Sequence, residues 1–175
     1  TTTRLSLRHS EILLLLTESG DGMTTAELAV ALSDDEQAQV TVRAELSRLR
    51  AVLGPLELAS RPYRLATEID TDMAGVRADL AAGQLRRAVA RYRGPVLPAS
   101  MSPAVERLRD ELHMHVRSRL LVSDDVDALL SFADTAHGRD DLEVWDRVLS
   151  VLPGTSPRHA QVQAHVEALD KELRA

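Results

Sequence analysis

The stretch VTVRAELSRLRAVLG, residues 40–54, constrains the fold more than any other part of the chain. Val42, Leu46, Leu49 and Leu53 recur at i, i+4, i+7 and i+11, the spacing that aligns one face of an α-helix. Gly54 and Pro55 predict where that helix stops. An apolar stripe of this kind must be covered, so the chain around it has to supply further packed elements. Aromatic residues make up 2 % of the chain and apolar residues 44 %, so the core must be built from Leu, Val and Ala. Ala and Leu, together with Arg and Glu, are strong helix formers. A length of 175 residues suffices for one large domain or two small ones.

Before the stripe, Leu5 and Leu7 alternate with polar residues and predict a short strand. Ser6 can cap the helix LRHSEILLLLTES, which ends at the GDG of residues 20–22. Thr24 followed by Glu27 forms a capping box and starts a second helix, TTAELAVAL. SDDE at 33–36 predicts a turn into the third. After Gly54, the runs LELA and YRLA flank SRP, which predicts a hairpin with Ser60, Arg61 and Pro62 at its tip. The order strand, helix, helix, helix, hairpin is that of a winged helix-turn-helix. From Thr67 onward only helices are predicted: about 71–82, 84–92, 103–121, 124–136, 140–152 and 157–174. The Pro-punctuated link GPVLPASMSP interrupts them. Paired helices suggest a helical-repeat module without a fixed period. The expected fold is therefore mainly α, with a winged helix-turn-helix over 1–68 and an all-α, helical-repeat-like domain over 69–175.

The formal net charge is −6, which argues against a nonspecific nucleic-acid coat. Charge is nevertheless uneven. Between Arg43 and Arg64 stand five arginines (43, 48, 50, 61 and 64) against Glu45 and Glu57, a local excess of three positive charges. Residues 69–175 hold 14 basic and 17 acidic residues and no basic block. There is no cysteine, which excludes a disulfide scaffold, a thiolate zinc site and a cysteine nucleophile, and fits a reducing cytoplasm. No apolar run approaches the roughly 20 residues that span a bilayer, so no membrane is expected among its partners. The run Ile12–Leu16 is too short for a signal peptide. The start lacks an initiator Met, and a piece of a longer chain is expected.

Signs of catalysis are missing. Neither a glycine-rich phosphate loop nor a nucleophile motif appears, so no enzyme and no cofactor are expected. His113 and His115 fall about 200° apart on a helix and cannot easily share one ion. His9, His137, His159 and His165 lack ligand spacing, and no metal is expected. The acids of SDDVD at 123–127 read as dipole partners at a helix start. Trp145, in LEVWDRVLSVL, reads as core.

The pieces Thr41-Val42, Leu46, Ser47-Arg48-Leu49-Arg50, Leu53-Gly54 and Tyr63-Arg64-Leu65 resemble, in order and spacing, the recognition helix and wing of the OmpR/PhoB-type winged helix. The match covers roughly residues 4–66. It departs from that family at Arg61-Pro62, where a glycine-rich turn is usual, and in its more acidic balance. AAGQLRRAVARYRGPVLP and VERLRDEL resemble the bacterial transcriptional activator domain that follows this winged helix in antibiotic-pathway regulators, over about 71–122. Related actinobacterial regulators carry the arrangement behind a GAF sensor domain, and that resemblance implies a missing N-terminal region.

These resemblances imply a DNA-binding transcriptional regulator. Its third helix would enter the major groove, where Arg pairs bidentately with guanine. Arg43, Ser47, Arg48 and Arg50 would project from the exposed side, although the same face could be solvated and held by intrahelical pairs such as Glu45 with Arg48. Thr41 would bind a phosphate or steady the helix start. Arg61 would reach a phosphate or the minor groove, or stand as an exposed turn arginine. Arg64 reads as a surface residue. Expected partners are double-stranded operator DNA, RNA polymerase, an N-terminal sensor domain and a second copy of the chain. The competing class is a protein-interaction module that contacts RNA polymerase or a sensor domain without binding DNA.

Overall fold

The computed structural model describes residues 4–33, 38–54 and 58–174, with the side chains of residues 38 and 39 left aside. The chain is mainly α. Among the described residues the elements run α1 (Leu7–Glu18), α2 (Thr25–Leu32), α3 (Ala38–Leu53), β1 (Leu58–Ala59), β2 (Arg64–Leu65), α4 (Asp72–Ala81), α5 (Leu85–Arg91), α6 (Pro103–Leu121), α7 (Val126–Ala133), α8 (Leu142–Val151) and α9 (His159–Leu173). None of these helices is long and apolar enough to cross a membrane.

The helix starts follow from local chemistry. Ser6 accepts a hydrogen bond from the His9 amide at 3.2 Å and opens α1. That cap corrects the expected strand at Leu5 and Leu7: once Ser6 is an N-cap, Leu7 becomes the first helical residue and Leu5 remains as the apolar residue before the cap. Thr24 and Glu27 form the expected capping box, with the Thr24 amide donating to Glu27 Oε2 at 2.7 Å and the Glu27 amide to Thr24 Oγ1 at 3.2 Å. Thr71, Asp125 and Asp141 cap α4, α7 and α8 without the return bond, each accepting through its side chain from the amide of Ala74, Ala128 or Val144. Of the turn expected at 33–36 only Ser33 is described, and Pro55, Leu56 and Glu57 also lie outside the described residues.

Two compact units divide the chain: Thr1–Asp70 with Val96–Asp110, and Thr71–Pro95 with Glu111–Ala175. In the first, the stripe Val42, Leu46, Leu49 and Leu53 is buried against Ile12, Leu15, Leu16, Leu28 and Leu32. β1 and β2 pair antiparallel, Leu58 opposite Leu65 and Ala59 opposite Arg64, and Leu58 closes one side of the core. The tip of this ribbon contains the expected residues Ser60, Arg61 and Pro62, and the Arg61–Pro62 peptide is cis. A further antiparallel bridge joins Met23 to Tyr63, with both amide–carbonyl bonds at 2.8 Å. The segment 96–110 is tied into this unit by polar bonds. Ser100 Oγ donates to Glu11 at 2.6 Å, Ser102 Oγ donates to the Ala31 carbonyl at 2.8 Å, and Arg109 donates to the carbonyls of Val96, Leu97 and Ser100.

In the second unit α4 packs on α5, α5 on α7, α7 on α8 and α8 on α9. Phe132, Leu120, Leu129, Val116, Val144 and Val148 are fully buried there. Trp145 is core, as its helix position predicts. Charge pairs fix the edges. Arg117 donates to both oxygens of Asp141, at 2.6 and 3.0 Å, and to Glu143 at 2.7 Å. Arg86 donates to Asp125 at 2.6 Å.

Candidate nucleic-acid interface

The apolar stripe of α3 faces the core, so its other side faces water. Thr41, Arg43, Ser47, Arg48 and Arg50 are all exposed on that helix, and Arg61 is exposed on the ribbon. The arginines nevertheless have different partners. Arg48 is ion-paired with Glu45 on the same helix, as the solvated-face alternative allowed. His9 also approaches Glu45, with its Nε2 3.1 Å from the carboxylate and without hydrogen-bond alignment. Arg50 donates to the Leu58 carbonyl at 2.9 Å and so ties α3 to the ribbon.

Arg43 and Arg61 have no carboxylate partner among the described residues. They also stand together: both line a concavity of about 800 Å³ whose wall includes Tyr63 and the start of α2 at Thr24 and Thr25. Two acids share that wall, Asp21 and Glu27. The Thr24 amide and then its hydroxyl hold the Glu27 carboxyl below its ordinary pKa, so it stands charged at the cap.

Spacing along the chain does not assign Thr24, Thr25 and Tyr63 to this site, because tertiary packing of α2 on α3 and the Met23–Tyr63 bridge bring them to the wall that Arg43 lines. A signal existed at Gly22. Its φ is 89, and a Cβ there would fall 2.6 Å from the Tyr63 carbonyl, so only glycine lets the α1–α2 turn press on the ribbon.

The second unit gathers rings that the sequence kept apart. The Tyr92 hydroxyl lies 3.2 Å from His113 Nδ1, and the His113 and His137 rings are 6.5 Å apart beside Phe132. Burial, then the nearby His113, lowers the pKa of His137, and burial raises that of Tyr92. His115 is not part of this cluster. Among the described residues no three groups of His, Asp or Glu stand where they could hold a metal ion.

Residues 125–175 match the family model of the YTH3-like protein, third C-terminal helical domain. That stretch covers α7, α8 and α9. Over 169 residues the chain is 47 % identical to an "Uncharacterized 47.3 kDa protein in thcA 5'region" of Rhodococcus erythropolis. The alignment takes in 97 % of this chain and 39 % of that protein, so the chain spans about two fifths of the relative's length. What the comparisons support is a helical domain. Neither match bears on the OmpR/PhoB-type resemblance of residues 4–66.

Proposed function

We propose that this chain is the DNA-binding part of a transcriptional regulator, with α1–α3 and the β1–β2 ribbon acting as a winged helix-turn-helix. One observation carries the reading: Arg43 on α3 and Arg61 at the ribbon tip are exposed, lack carboxylate partners among the described residues and line the same concave face. A helix and a ribbon that present unpaired guanidiniums side by side suit a duplex, where α3 takes the major groove and the ribbon tip takes the adjacent backbone or minor groove. Arg43 and Ser47 read base edges in this account, and Thr41 meets a phosphate. Arg48 must exchange Glu45 for DNA to contribute. The role of Arg50 is chiefly to brace the ribbon. The helical second unit then serves regulation or assembly, and the sensor domain and RNA polymerase are its proposed partners. Proposed location is the cytoplasm, where the DNA is.

A second reading, a protein-interaction module without DNA contact, is favoured by Val30 and Val40, which are 75 % and 76 % exposed in the first unit. A gel shift separates the two readings. The probe is the duplex upstream of the chain's own coding region, run at low and at physiological salt. The DNA reading predicts a retarded complex that weakens with salt, and a loss of about 1–3 kcal/mol for Arg43→Ala with the fold intact. No complex at low salt with any duplex, including a randomised pool, would leave only the interaction module.

A further inference from the structure

α7, α8 and α9 border a cavity of about 680 Å³, within the range of roughly 300–1,000 Å³ usual for small-molecule sites. Leu130 of α7 and the exposed Ala164 and Ala168 of α9 give it an apolar wall. Its base is fixed. The Trp145 and His165 rings meet at 4.5 Å and 64°. Trp145 Nε1 donates to the Arg139 carbonyl at 2.9 Å, and His165 Nε2 lies 3.1 Å from the same oxygen. A carbonyl only accepts, so His165 Nε2 carries a proton and donates. Two ring donors on one oxygen lock both the indole and the loop before α8, which is the preorganisation a binding site needs.

The lining is charged on one side. Arg139 stands 3.7 Å from Asp140, but both are well exposed, and such a pair holds its partners weakly. Arg158 has no carboxylate partner among the described residues. One acid, Asp134, shares the lining. The cavity is thus apolar in bulk with an excess of guanidinium, in a chain whose net charge is −6. Guanidinium offers paired N–H donors that match a carboxylate. Asp134 disfavours a second negative charge, and the alanine wall disfavours a strongly hydrated one such as phosphate.

We propose that this cavity binds a small hydrophobic carboxylate, with the acid group on Arg158 and Arg139 and the apolar body over Ala164, Ala168 and the edge of Trp145. The site is independent of the DNA reading.

Trp145 is the chain's one tryptophan and lines the cavity, so its fluorescence reports occupancy directly. The full chain is titrated with phenylacetate, with octanoate and with neutral phenylacetamide. The expected result is a saturable fluorescence change with at least one carboxylate, and weaker binding of the amide by roughly tenfold. Arg158→Gln, at an exposed position, should lose roughly tenfold in carboxylate affinity and leave the amide unchanged. Ala168→Leu, also exposed, fills the cavity and should abolish the response to both. Circular dichroism confirms that the variants keep their helices. The proposal is overturned by the absence of a saturable change with either carboxylate, by equal affinity for acid and amide, or by unchanged carboxylate binding in either variant.

Discussion

Arg61 has two properties that pull in opposite directions. Its φ of 74 lies in the left-handed region, where a side chain costs about 1–2 kcal/mol. A turn shaped by stability alone would hold glycine there. Its guanidinium also lines the concave face without a carboxylate partner among the described residues. Arg61→Gly is therefore predicted to keep or raise stability, by up to about 1 kcal/mol, while weakening DNA binding. Calorimetry and anisotropy on one sample check this, and tight binding by the variant would remove Arg61 from the interface. Gly22 is the converse case. With φ at 89 and the Tyr63 carbonyl 2.6 Å from where a Cβ would lie, Gly22→Ala should destabilise by more than about 1 kcal/mol in urea denaturation. It should also weaken DNA binding, because the turn it distorts holds Tyr63 through Met23. A Gly22→Ala chain with parental stability would show that this close approach is not required.

At the scale of elements, what the sequence displays locally is what the structure keeps. The α3 stripe, the Thr24–Glu27 box and the helical stretches from α4 to α9 are written in spacing and caps, and they appear as expected. The strand expected at Leu5 and Leu7 does not, since alternation over so few residues cannot outweigh a serine cap that adds Leu7 to a helix. Long-range placement was not legible. Spacing alone pairs His113 with His115 on its own helix, yet its neighbours include Tyr92 and His137, and only tertiary packing brings them there. The cluster has a consequence for pH. His137 Nε2 is buried without a hydrogen-bond partner, and its pKa is lowered from 6.5, first by burial and then by His113. Folded chain therefore binds fewer protons here than unfolded chain. The stability His137 contributes is complete above pH 6.5 and is lost as pH falls below it toward the folded value. Tyr92 and His113 are the titratable groups facing it. His137→Gln should flatten the fall in melting temperature on acidification below pH 6.5; an unaltered slope would contradict this assignment. Asp141 is the other sensitive point, because it both caps Val144 at 3.2 Å and receives Arg117. Asp141→Ala should cost about 1–2 kcal/mol through the cap and more through Arg117, which keeps only its bond to the exposed Glu143, measured by chemical denaturation.

For the whole molecule, the predicted change from a hairpin to helices alone draws a boundary near residue 68, whereas compactness places Val96–Asp110 with the first unit. The reason is distant in sequence: Ala104 and Leu108 pack with the first unit's core, and polar bonds add to them. Glu11 is only 4 % exposed and depends on Ser100 Oγ, 89 positions away, for one of its hydrogen bonds. Ser100→Ala is thus expected to destabilise the first unit by about 1–3 kcal/mol, read from amide hydrogen exchange in α1 and α3 of the full chain. Exchange rates equal to the parent's would show that the segment 96–110 adds no stability there. The electrostatic division of labour proposed for this acidic chain is a whole-molecule property as well: it puts the DNA contact on the concave face that Arg43 and Arg61 share. The most direct test is the dependence of DNA affinity on salt for the full chain and for the Arg43→Ala/Arg61→Ala double variant. Each phosphate contact contributes about 0.9 to the slope of log affinity against log salt. The account predicts a measurable slope for the parent, and for the double variant both a shallower slope and an affinity lower by at least roughly tenfold. Equal slopes and equal affinities in the two proteins would contradict it.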